Sequence, residues 1–177
     1  MALERTTSQV LFDNGTHKCI SFTSLVQGEG IQANQFLIID HGRAAVLDPG
    51  GDLTYVPLTM ELSRYTKLKN LDYVMASHQD PDIITSMPRW LVYTDAKIVA
   101  SKLWARFLPH LNSAFMTDRM KGNWLDRLIE LPDPGQVIPL GESSIVAVPA
   151  HFLHSVGNFR FYDPLAKILF SGDMGAS

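Results

Sequence analysis

Apolar positions along the chain fall into short runs punctuated by glycine, proline and aspartate. HKCISFTSLV mixes β-branched and aromatic residues and predicts a strand. NQFLIIDHGRAAVLDPGG holds two apolar runs around DHGR and closes on Pro-Gly-Gly, which predicts a hairpin. In YVPLTMELSRYTKL, Val56, Met60, Leu62 and Tyr65 recur at mostly helical spacing. LDYVMAS predicts the next strand, IITSMPRWLVY a short helix despite Pro88, and AKIVAS a strand. KLWARFLPHL predicts an amphipathic helix with Leu103, Phe107 and Leu111 on one face. Residues 112–125, NSAFMTDRMKGNWL, carry the weakest periodicity and read as a loop or partly helical excursion. Beyond them DRLIEL, QVIPL, SIVAVPA, NFRFYD and AKILFSGD predict strands, the last pair turned by Asp163 and Pro164. Strands, then βαβ, then strands again describe an α/β layered sandwich with helices outside.

A chain of 177 residues, 46% of them apolar, suits one domain spanning residues 1–177 with a sizeable core. The net charge of -3 and the lack of a basic stripe argue against nucleic acid and anionic membrane as partners. The opening MALERTTSQV has no signal-peptide core, and no apolar run approaches the roughly 18 residues of a membrane helix. A cytoplasmic location is the expectation. The single cysteine, Cys19, cannot form an internal disulfide and reads as inert packing in a strand.

The chemistry concentrates in three places. SHQDPDIITSM sets His78, Asp80 and Asp82 at every second position after an apolar strand. On a strand that spacing faces one side; on a loop it curls around a point. Asp82 could instead cap the helix opening at Ile83, and Asp80 could close an Asx-turn. Three such groups together carry a desolvation cost that a cation would offset. PAHFLHSVGNF adds His151 and His154, and ILFSGDMG adds Asp173 before small residues. Each place follows the C-terminal end of an apolar strand, so all three can meet at one rim of a sheet, a common place for a site. Imidazoles with several carboxylates describe a metal constellation, not a serine triad. His17, His41 and His110 read as surface or turn residues, and Trp90, Trp104 and Trp124 as packing of the core or a dimer face.

These residues resemble the metallo-β-lactamase fold superfamily over about residues 34–175. HQDPDI stands where the superfamily signature reads His-x-His-x-Asp-His; HSVG resembles its H-[ST]-x-G turn and selects His154 over His151. SGD resembles its bridging aspartate, Asp173, and VLDPGG its DxG turn, which makes Asp48 structural. The resemblance implies an αββα sandwich. Asp80, where zinc hydrolases have histidine, is similar to the flavodiiron and oxygen-binding diiron branch. That likeness implies His78, Asp80 and His154 on a first iron, Asp82 on a second and Asp173 bridging the two. Ile83, in place of a histidine, would add an apolar wall beside an open coordination position. A harder, oxygen-rich donor set shifts preference toward iron, with zinc or manganese as alternatives.

The branch places a further histidine downstream of the bridging aspartate, and none follows Asp173 here, so the second half of the sandwich is expected to be incomplete in this chain. No flavodoxin-like stretch is visible either, which moves the implied role from multi-turnover reduction toward binding or sensing. The leading expectation is a non-haem diiron protein that binds O₂ or NO, with reduction only if an external electron donor serves it. Gln79, Ser155 and Asn158 are candidates to tune the bound gas. A signalling protein and a second copy of the chain are possible partners under this reading. Two other readings stand beside it: a zinc-dependent hydrolase of esters, lactones, thioesters or amides, and a degenerate, non-catalytic binding module.

Overall fold

The computed structural model describes residues 7–26, 28, 30–113, 118–120 and 122–174. Two sheets face each other. The larger runs β1 (Ser8–Asp13), β2 (His17–Phe22), β3 (Gln35–Asp40), β4 (Arg43–Leu47), β5 (Leu71–Met75), β6 (Lys97–Ser101) and β7 (Leu128–Leu131) in spatial as in chain order. The smaller contains β8 (Gln136–Leu140), β9 (Ser143–Pro149), β10 (Phe159–Asp163) and β11 (Ile168–Phe170). The first four strands are antiparallel neighbours; β4 to β7 are parallel. Parallel neighbours need crossovers, which α1 (Asp52–Leu62), α2 (Pro81–Ile84) and α3 (Met87–Tyr93) help to supply.

The near-continuous apolar runs are explained by burial on both faces. From the larger sheet, Ile20, Leu37, Val46, Val74 and Ile98 face the helices, joined there by Leu58, Trp90 and Leu91. Their strand neighbours Cys19, Ile38, Leu47, Met75 and Val99 face the second sheet and meet Ile145, Phe159 and Phe161. Parallel strands place their C-terminal ends together, and β4 and β5 therefore deliver Asp48 and His78 to the same rim.

The chain departs from the sequence pattern in four places. Strand β1 was not foreseen; its residues face outward on one edge and alternate weakly. The single helix expected over IITSMPRWLVY is two, because Gly50 N takes the carbonyl of Ile83 at 2.8 Å and Pro88 has no N–H to offer that of Ile84. KLWARFLPHL likewise divides into α4 (Lys102–Ala105) and a 3₁₀ turn, Leu108–Leu111, since Pro109 cannot extend the ladder; Leu103, Phe107 and Leu111 remain exposed. The start of DRLIEL lies in a 3₁₀ turn, Trp124–Arg127, ahead of β7. Part of the weakly periodic stretch, residues 114–117 and 121, lies outside the described residues. The two foreseen hairpins, β3–β4 and β10–β11, are both present. Among the described residues no helix is long and apolar enough to cross a membrane.

Arg127 secures the joint between α3 and β7. Its guanidinium donates to the carbonyls of Leu91, Thr94 and Ala96 at 2.7–3.1 Å. These are the carbonyls that the end of α3 and the next turn leave without helical partners. A lysine cannot present that planar fork. Arg127→Lys is expected to lower unfolding free energy by about 2 kcal/mol, the scale of lost charged hydrogen bonds. Urea denaturation with an unchanged slope would show it.

Candidate metal centre

Strand β5 ends at Met75, and the chain turns across the rim as Ala76, Ser77 and His78. Ser77 holds this turn through every polar group it has. Its amide donates to the Asp48 carboxylate at 2.7 Å, and its carbonyl accepts from Phe159 N at 2.9 Å. Its hydroxyl lies 2.8 Å from Nδ1 of His78. The His78 ring is fixed by one nitrogen, and the other, Nε2, points inward. That atom is buried and has no hydrogen-bond partner. It lies 3.5 Å from Oδ2 of Asp80 and 3.6 Å from Oδ2 of Asp173.

Asp80 occupies the N-cap position of α2 yet makes no capping bond. Its Oδ2 lies 3.1 Å from Nε2 of His154, and its Oδ1 accepts from the Gln79 amide at 3.2 Å. Ser155 Oγ donates to Gln79 Oε1 at 3.2 Å, so two of the expected tuning residues do reach Asp80 in series. Asn158 instead donates to Leu153 O, and its Oδ1 is buried without a partner. His154 adopts a left-handed backbone, φ 97°, in the turn after β9, and its ring meets that of His78 edge-on at 4.8 Å.

The result is one group. A ligand atom each from His78, Asp80, His154 and Asp173 lies within 4.8 Å of the others. Gly172 makes the approach of Asp173 possible. Its φ is +61°, and a Cβ there would stand 3.0 Å from Ser77 Oγ. The buried, unpartnered nitrogen of His78 and the two carboxylates turned toward it fit a divalent or trivalent cation. They do not fit a self-contained hydrogen-bond network, which would leave no such nitrogen.

Asp82 stands outside this group, in the first turn of α2, half-buried. His151 is also excluded: its Nε2 lies 3.0 Å from the Asp133 carbonyl and its ring abuts Phe159 edge-on. Ile83 packs into the core under the helices and forms no open wall. Asp48 is structural, as expected. Burial raises its carboxyl to about 6 against the lowering effect of the Ser77 amide and hydroxyl. The sequence pattern did not single out Ser77, because a serine at a strand end reads as an ordinary turn residue.

A two-sheet sandwich with helices on its larger sheet and an imidazole–carboxylate group at one rim defines a protein of the metallo-β-lactamase fold. The chain belongs to the family described as "ODP family beta lactamase", whose model matches residues 31–177. Two solved structures of the chemotaxis sensor ODP are similar at TM-score 0.79. An apo state from T. denticola is 38% identical and covers 96% of this chain and 64% of that one. A peroxy diiron species is 36% identical and covers 96% and 65%. A Synechocystis protein described as a diflavin flavoprotein is 33% identical over 118 residues, 59% of this chain and 19% of its own. The subclass B3 metallo-β-lactamase MEM-A1, from a soil metagenome library, is 15% identical with TM-score 0.63 over 81% of this chain and 53% of its own, and shares the fold. The chain thus spans less than two thirds of the length of the sensor it matches.

Ser77→Ala is expected to weaken metal affinity about 10- to 100-fold, the usual effect of freeing a ligating histidine's second nitrogen. A competitive chelator titration measures it, with far-UV circular dichroism as the check that the sandwich is intact. Unchanged affinity would show that the Ser77 hydroxyl does not orient His78 toward a metal.

Proposed function

We propose that this chain is the metal-binding part of a non-haem diiron protein that binds O₂, in the manner of a sensor. The observation that carries the reading is the buried, unpartnered Nε2 of His78, facing two carboxylates and beside a second imidazole. Two imidazoles and two carboxylates form a donor set harder than the histidine-rich sets of zinc hydrolases, and this favours iron or manganese. The similarity to the chemotaxis sensor ODP, described in a peroxy diiron form, supports the same direction.

In this reading His78, Asp80 and His154 would hold the first iron, Asp82 would serve the second, and Asp173 would be shared between them. When bound, an iron pair would supply one-electron redox chemistry and the capacity to take a small gas, O₂ or NO. The chain's own residues fix the donors. Ser77 engages Nδ1 of His78 and leaves Nε2 for the centre. Gln79 engages Oδ1 of Asp80 and leaves Oδ2 toward His154. Gly172 lets Asp173 close the group from the second sheet. A partner is then a signalling protein that reads the centre, or an external electron donor if the gas is reduced. The hydrolase reading is weaker because Asp80 stands where a zinc hydrolase has imidazole.

Elemental analysis of protein from iron-supplemented cells should find about two iron per chain. Admitting air to the reduced protein should then raise a visible charge-transfer band. Asp173→Ala should abolish retention of both ions. A protein that takes up only zinc and cleaves esters would support the hydrolase instead, and one that retains no metal would support the binding-module reading.

A further inference from the structure

His154 comes to the centre on the turn between β9 and β10, residues 150–158. Phe152 at φ 66° and His154 at φ 97° both have left-handed backbone there. Residues other than glycine stay in that conformation only where their surroundings over-determine it. The turn's own bonds, Phe152 N to Ser155 O at 3.2 Å and Asn158 Nδ2 to Leu153 O at 2.7 Å, fix its shape. They do not fix where it stands against the larger sheet, whose β5 leads to His78 and Asp80. On the N-terminal side of the turn, His151 Nε2 lies 3.0 Å from the Asp133 carbonyl.

On the C-terminal side, where His154 stands, two side chains reach the turn. Gln79 Oε1 accepts from Ser155 Oγ at 3.2 Å. Trp104, expected as packing, is half-buried on α4 and donates its indole N–H to the Val156 carbonyl at 2.9 Å. Gly157 lies flat against the same helix. Its φ is +79°, and a Cβ there would stand 3.0 Å from Trp104 Nε1 and Ser101 Oγ and 3.1 Å from Leu103 Cδ2. Ser101 caps α4 by accepting from Leu103 N at 3.3 Å, so the surface that receives the turn is itself held. Gln79 and Trp104 line one mostly apolar hollow with Ile84 and Leu108, which makes the two anchors neighbours.

We infer that Trp104 is a positioning residue for the metal centre: its indole N–H, through the Val156 carbonyl, holds the turn that presents His154 to Asp80 and His78. The inference rests on the reading of His154 as a ligand. The indole suits the task because it is a donor only, on a rigid ring. The two anchors divide the work. Gln79 takes Ser155 and gives its amide to Asp80 at 3.2 Å, so it sets His154 and Asp80 relative to each other. Trp104 sets the turn against α4. With Gln79 alone, the C-terminal half of the turn has one side-chain tether, about which its left-handed backbone relaxes and the imidazole swings away. His78 stays fixed by Ser77, and Asp173 by the close approach at Gly172, so loss of the indole N–H weakens the centre without emptying it.

The test uses Co²⁺ as the probe on the full chain, read by chelator competition and by its visible d–d bands. Trp104→Phe keeps an aromatic ring and removes the N–H. It is expected to weaken Co²⁺ binding about 10-fold, the lower end for a residue that supports a ligand, and to shift the bands toward those of His154→Ala. His154→Ala should lose more, and adding Trp104→Phe to it should cost nothing further. Gly157→Ala, whose Cβ pushes the turn from α4 and leaves the indole in place, should reproduce the effect of Trp104→Phe. Wild-type affinity and bands in Trp104→Phe, with His154→Ala impaired, overturn the inference and leave His154 a ligand. An equal loss from Trp104→Phe with and without His154 also overturns it, since the indole then acts on the fold alone. A His154→Ala chain that binds as tightly as the wild type overturns the ligand reading itself.

Discussion

Ser77 is a small residue with three polar groups, and each holds a different part of the rim. Its amide takes Asp48 at the end of β4, its carbonyl takes the amide that opens β10, and its hydroxyl takes His78. Gly172, after β11, closes against the same side chain. The candidate metal centre depends on this convergence. Its ligands come from strands of both sheets, and without the pinned turn the His78 imidazole could rotate and leave two carboxylates facing each other. Asp48 bears the cost, a buried carboxyl in a left-handed backbone at φ 52°.

Much of this was legible in the sequence. His78, Asp80, His154 and Asp173 each follow an apolar run, and the fold gathers the ends of such runs. The motifs therefore located four of the five expected ligands together, with Asp82 apart from them. The two hairpins were legible because glycine, proline and aspartate mark them locally. The helical breaks were only half legible: Pro88 and Pro109 stand inside the two segments, but the Pro49–Gly50 turn that takes the Ile83 carbonyl and the Ser86 hydroxyl lies far away in sequence. The surroundings of His17 were hidden for the same reason. Its partners lie 23 and 146 residues away, and nothing in HKCISF distinguishes a solvated histidine from one held between two aspartates.

The rim group and the buried group around His17 make opposite demands on the same sandwich. At the β4–β5 rim, donors are partly exposed and one nitrogen is unpaired, an arrangement open to an exchanging ligand. At the other end, His17, Cys19, Asp40 and Asp163 are buried and paired with one another, an arrangement that pins the sheets and leaves no atom for a ligand. About one strand length separates the two, roughly 17–20 Å for a strand of ordinary size. Both join the larger sheet to the smaller, so the sheets are tied at each end by polar contacts and between them by Leu47, Met75 and Phe161.

The long sequence gap within the rim group has a kinetic consequence. His78 and Asp173 are 95 positions apart, and the turn bearing His154 lies between them. No early local structure can hold all four donors. Loops of this length close slowly, after nearby pairings have formed. A cation held by the proposed centre would therefore arrive late, and its binding would oppose separation of the whole sandwich, not the fraying of any one strand.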